Sequence, residues 1–292
     1  MSDLTESSWN LPPLGEGYAA PAGLVDRRIG MRALNTMQIF DPSAPVRESI
    51  WGGVACFEAV PPEATTTLLY LHGGGYRLGE AGTWAGLASR IAAAAGARVV
   101  VPNYRLAPEH PFPAAIHDSC SVYAALSETG GLPPFVGGDS AGGGLACSLI
   151  VAAIAAGVPL PPGAILVSPW LSLVPGAPSF QRCAASDSAF SAEAACAAAD
   201  QYLQGQTAEH ALLSPLSADL TCFPPCWITA SAAEVLVDQS HALALRLTIA
   251  GRPNVLRIER NMPHAWPVVA PGAAETAAAI AGIAAFIRER AR

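Results

Sequence analysis

A chain of 292 residues, 51% hydrophobic and 13% charged, is long enough for one large core, or a core with a small subdomain. Its net charge of −7 offers no basic surface for nucleic acid or an anionic membrane, so neither partner is expected. A spanning helix needs roughly 18 apolar residues, and Arg90 and Arg98 interrupt the most apolar region.

The N-terminus, Met1 to Glu6, is polar and acidic, unlike a secretory leader. Together with seven cysteines, an odd number, this points to free thiols in a reducing cytoplasm. Residues 1–50 carry no clear strand and are punctuated by prolines. Thr66 to Leu71 is a short β-rich run that ends at a glycine cluster. Ala85 to Ala95 reads as a helix and Arg98 to Tyr104 as a buried strand. Ala114 to Ser127 has helical spacing. Phe135 to Gly138 is a strand, and Leu145 to Ala156 a helix. Ala164 to Ser168 is the next strand, stopped by Pro169.

Between that strand and the next lies a long insertion, residues 175–216. It holds a helix-like piece from Ser191 to Leu203, with Ser191 as N-cap. Two further strands, Cys226 to Ser231 and Val255 to Glu259, flank a helical run from Asp238 to Ala250. Glu275 to Arg292 closes the chain as a helix. Short apolar strands alternating with helices predict an α/β fold, a mostly parallel sheet covered on both faces. The core is expected over residues 51–174 and 217–292. The segments 1–50 and 175–216 are expected to cap the carboxyl edge of the sheet, where ligands bind in such folds. The last strand and the closing helix offer an edge for a homodimer.

The most telling motif is Gly138-Asp139-Ser140-Ala141-Gly142, a Gly-x-Ser-x-Gly between a strand and a helix. In that context the serine sits on a sharp turn with its hydroxyl presented outward, and the glycines keep neighbouring backbone from colliding. A serine hydroxyl needs a base and an acid from elsewhere to become a nucleophile. A second motif, His72-Gly73-Gly74-Gly75, directly follows the strand ending at Leu71. Bare backbone N–H groups there can stabilise a developing oxyanion, each worth roughly 10²–10³ in rate. Gly73 and Gly74 are the expected donors, with Ala141 as a third. Neither cluster matches a nucleotide-binding pattern. Cys222 and Cys226, separated by Pro224 and Pro225, lack the histidines that would complete a zinc site, so no metal is expected.

These motifs, with Tyr104-Arg105-Leu106-Ala107-Pro108-Glu109-His110-Pro111 between them and Ser214-Pro215-Leu216 with Asp219 after them, resemble the hormone-sensitive-lipase-like family of α/β-hydrolases. The ordered match runs from about residue 66 to 270. The resemblance implies an eight-stranded α/β-hydrolase sheet, a helical cap, and hydrolysis of small-molecule carboxylic esters without cofactor or metal.

In this fold the order is serine, acid, histidine. Of six histidines only His264 follows the last predicted strand, so it is the expected base. It stands in His264-Ala265-Trp266, where the family has His-Gly-Phe. His72 is expected to hold the oxyanion loop, and His110, His117 and His241 to be structural. Aligned with the family's Asp-Pro-Leu-x-Asp, the run Ala232 to Asp238 places Glu234 on the acid position, with Asp238 as rival. Asp139 is expected to be buried and paired with Arg105. Tyr104, Arg105 and Glu109 resemble the family's structural network beneath the site. Tyr76, Trp84, Phe190, Tyr202 and Trp266 are candidates for an apolar pocket. A lactone hydrolase or acyltransferase would use the same triad, and a catalytically silent receptor would be expected to lack the serine or the histidine.

Overall fold

The computed structural model describes residues 9–174 and 176–291. The polar N-terminal stretch at residues 1–6 lies outside them, as does Arg292, the expected end of the last helix. Eight strands form one sheet: β1 (Val46–Trp51), β2 (Val54–Ala59), β3 (Thr66–Leu71), β4 (Ala97–Pro102), β5 (Phe135–Asp139), β6 (Ala164–Val167), β7 (Cys226–Ser231) and β8 (Asn254–Glu259). Their spatial order is β1-β2-β4-β3-β5-β6-β7-β8. β2 runs antiparallel to both of its neighbours, and every pair from β4 to β8 is parallel.

The central strands are buried on both faces because they are apolar at successive positions. In β3, Leu69 and Leu71 enter one core while Leu68 and Tyr70 enter the other. In β6, Ala164 and Leu166 join the first core, and Ile165 and Val167 the second. The first core packs against α3 (Ala114–Ser127), α4 (Ala141–Ala156) and α7 (Val237–Ile249). The second packs against α2 (Ala85–Ala95) and α9 (Ala274–Arg290). Each leucine fully buried in these layers contributes roughly 1.5–3 kcal/mol.

One expectation needs correction. Residues 1–50 are not free of strands: β1 begins at Val46, so a boundary at residue 50 would cut through it. The turn joining β1 to β2 is Gly52-Gly53, both at positive φ, the backbone that a two-residue hairpin loop requires. The remaining helices lie outside the sheet layers. They are α1 (Ala22–Met31) in the N-terminal segment, α5 (Ser179–Arg182) and α6 (Ala192–Leu203) in the insertion, and α8 (Trp266–Val269) after β8. The Ser191 side chain caps α6 by accepting from the Ala194 N–H at 3.2 Å.

The chain leaves β3 toward β4 on one side and returns to β5 on the other. The carboxyl ends of β3 and β5 therefore flank the point where the winding reverses, the place where ligands bind in open α/β sheets.

Candidate active site

Ser140 stands between the end of β5 and the first residue of α4, at φ 52° and ψ −122°. A non-glycine residue there carries roughly 1–3 kcal/mol of strain and persists only where its surroundings enforce it. The enforcement is backbone hydrogen bonding: the Ser140 N–H donates to the Val167 carbonyl at 2.9 Å, and the Ser140 carbonyl accepts from Trp170 at 2.8 Å. The flanking glycines are steric necessities. A Cβ on Gly142 or on Gly138 would fall on the Leu71 carbonyl oxygen at the end of β3.

His264 lies in the loop after β8, and Glu234 in the turn after β7. Both are buried, at 8% and 1% exposure. The Glu234 Oε2 lies 2.9 Å from His264 Nδ1, and its Oε1 accepts the Ser231 N–H at 3.2 Å. An ionised carboxylate only accepts, so the shared proton belongs on Nδ1 and Nε2 keeps its lone pair. Burial works against the imidazolium, but the hydrogen bond and charge of Glu234 outweigh it and hold the His264 pKa above its ordinary value. The Phe190 ring stacks on the imidazole, centroids 5.9 Å apart.

The rival acid faces elsewhere. Asp238 receives Arg182 at 2.6 Å and the Ser179 N–H at 2.8 Å, and these contacts bind the insertion to α7. The Arg182 hydrogen bond is the main cause of its lowered pKa. Neighbouring contacts reinforce the seam. Ser179 Oγ donates to the Val235 carbonyl, Ser186 Oγ donates to the Ala233 carbonyl at 2.8 Å, and Asp187 Oδ2 accepts the Val235 N–H at 2.9 Å. The segment carrying Phe190 is thereby fastened to the turn carrying Glu234.

A Cβ on Gly73 would fall on Asp139 Oδ2, so this residue packs against the Asp139 carboxyl, whereas Gly74 and Gly75 are the glycines that line the pocket. Gly75 thereby joins the candidate donors beside Ser140. The full glycine run was plain in the sequence, but its orientation was not. Ala141, as the first residue of α4, has an N–H with no acceptor in its own helix. Asp139 is buried as expected, but its partner is not Arg105. It accepts Trp84 Nε1–H at 2.7 Å, while Arg105 forks onto Asp118. Burial pushes the Asp139 carboxyl up to about 6, against the pull of Trp84.

His72 holds the loop from below. Its Nδ1–H bonds to the Gly73 carbonyl at 2.7 Å, its ring stacks on Tyr104, and its carbonyl accepts the Tyr104 hydroxyl at 2.6 Å. Burial lowers its pKa to about 4, so it stays neutral at working pH. His241 lies within α7 and bonds to the Val237 carbonyl.

Ser140, His264, Gly74 and Gly75 line one cavity of about 160 Å³. Of the five aromatic candidates, Trp84 and Phe190 are in its wall. Tyr76 and Tyr202 instead stack on each other in the core, centroids 4.0 Å apart, and Trp266 is fully buried in the second core. Periodicity marks an aromatic residue as buried without saying which cavity it borders. The rest of the wall includes Arg27, Met31 and Leu34 from the N-terminal segment, Ala189 and Ala198 from the insertion, and Val268 and Val269 after the histidine loop.

A strained serine between strand and helix, a glycine loop beside it, and a histidine joined to a carboxylate on the same sheet edge define an α/β-hydrolase. Residues 68–268 match the family described as alpha/beta hydrolase fold, and the chain belongs to that family. It is 39% identical over 224 residues to an acetyl-hydrolase of Streptomyces hygroscopicus, covering 76% of this chain and 75% of that one. A carboxylesterase of Mycobacterium tuberculosis is 36% identical over 227 residues, covering 71% and 69%. The crystal structure of an esterase from the bacterial hormone-sensitive lipase family superposes with a TM-score of 0.85 at 35% identity, covering 94% of this chain and all of that one. The hormone-sensitive-lipase type is thus upheld, and the activity class is carboxylic ester hydrolysis. No helix among the described residues is long and apolar enough to cross a membrane.

Proposed function

We propose that this chain is a serine carboxylesterase for small esters of short to medium acyl length, working through an acyl-enzyme. The observation that carries the reading is the 2.9 Å contact between Glu234 and His264 in a cavity shared with Ser140. Ser140 Oγ attacks the ester carbonyl as His264 Nε2 takes its proton. Glu234 holds the tautomer and stabilises the imidazolium. The N–H groups of Gly74, Gly75 and Ala141 receive the oxyanion. His264 then protonates the departing alcohol, and water repeats the cycle on the acyl group. The small, largely apolar cavity supports short chains. We read the segment before β1 that supplies Arg27, Met31 and Leu34, and the insertion that supplies Ala189, Phe190 and Ala198, as the cap. The free cysteines support a reducing, cytoplasmic setting, and the edge position of β8 suits a homodimer.

Pre-steady-state hydrolysis of 4-nitrophenyl butyrate tests the acyl-enzyme. The reading expects a burst of nitrophenol approaching one equivalent whenever deacylation is the slower step, and a Ser140→Ala variant reduced by roughly 10³-fold or more in kcat. Near-parental turnover by Ser140→Ala contradicts it.

A further inference from the structure

The cavity wall carries two arginines that no carboxylate neutralises among the described residues. Arg77 is only 5% exposed. Its guanidinium donates to the Gln201 Oε1 at 3.1 Å and to the Ala194 carbonyl at 3.2 Å, both neutral acceptors. Arg27, exposed at the rim, lines the same cavity, close enough that its like charge, after burial, helps lower the Arg77 pKa. Their neighbours on α1 and beside it behave differently: Arg28 is paired with Glu109 at 2.6 Å and Arg32 with Glu80 at 3.2 Å. The carboxyl in the cavity wall, Asp139, accepts Trp84 Nε1–H and forms no ion pair with either arginine.

Burying a guanidinium against neutral acceptors beside a second cation is costly, and an anion arriving between them relieves that cost. An overall charge of −7 makes two such arginines on one cavity wall the more informative. The geometry points to an anionic ester as substrate: we propose that Arg27 and Arg77 bind a carboxylate or phosphate group carried on the acyl or alcohol side of the ester cleaved at Ser140. Arginine suits this task because its planar fork matches both anions.

Isosteric esters test the idea. Monoethyl succinate and carboxymethyl butyrate each differ from ethyl butyrate by a carboxylate in place of a methyl. Phosphoethyl butyrate supplies the phosphate arm, and butyrylcholine the opposite charge. After division by each ester's alkaline hydrolysis rate, at least one anionic ester is expected to exceed ethyl butyrate in kcat/KM by roughly tenfold or more, through KM. Butyrylcholine should be the poorest. Arg27→Gln, at the exposed rim, should pull that anionic-to-neutral ratio toward one, and Arg27→Lys should keep part of it. Arg77→Gln, if it folds, should lower the ratio further. Equal or better use of the neutral ester by the parent, or a ratio unmoved in Arg27→Gln, overturns the proposal. The inference rests on Ser140 as the cleavage point. A Ser140→Ala variant as active as its parent would sink that reading, whereas an inactive Ser140→Ala with no charge preference in the parent would sink the inference alone.

Discussion

Glu234 reaches the histidine from a turn tight enough to absorb its extra methylene. One oxygen is held by the Ser231 N–H at the end of β7, which leaves the other for His264. The same contact sets the pH dependence. A general base must be neutral, and Glu234 holds the His264 pKa above the ordinary 6.5. The sign follows: lowering pH protonates His264 and removes activity, so kcat/KM should fall through an apparent pKa above 6.5. In Glu234→Gln the carboxylate no longer offsets burial, so the residual activity should show an acid limb moved to lower pH. A limb that stays put would separate Glu234 from the histidine. Ser140 is marked by its Gly-x-Ser-x-Gly setting between strand and helix, and His264 by the serine–acid–histidine order of the fold. Glu234 needed the resemblance, since composition and spacing do not separate it from Asp238. The partner of Asp139 was not legible, because Trp84 lies 55 residues away and only folding brings them together.

The element that carries most of the chemistry is the junction of β5 and α4. Its tightness is set by β3 next door, whose last carbonyl, Leu71, occupies the space where side chains on Gly138 and Gly142 would go. Gly142→Ala should therefore force backbone apart, costing about 1–3 kcal/mol or more in urea unfolding and lowering kcat with it. A variant of parental stability and rate would show that the turn has slack. The central strands and their helices were readable because apolar runs buried on both faces differ sharply from their Gly- and Pro-rich joints. The hairpin of β1 and β2 was not, because β1 is partly exposed and lacks an apolar run, although Gly52-Gly53 between the two strands was a usable turn signal. α1 hid for another reason: it is short and carries Gly23 and Gly30, which weaken its helical signal.

For the whole molecule, the sheet order gathers loops from distant parts of the chain at one edge. The glycine loop follows β3, the serine turn β5, the glutamate turn β7 and the histidine loop β8. Residues of α1 and of the insertion complete the cavity wall. Two carboxylates then stand near the seam between insertion and core with opposite tasks: Glu234 faces the histidine, and Asp238 faces Arg182. The most direct test of the account is kcat/KM for a short acyl ester in Glu234→Gln beside Asp238→Asn. The account predicts that Glu234→Gln loses roughly 10²–10⁴-fold, as expected when the orienting carboxylate of such a triad is removed, while Asp238→Asn keeps activity within about tenfold and shows its cost in stability. The reverse ranking would move the acid to Asp238 and contradict the site described for this enzyme.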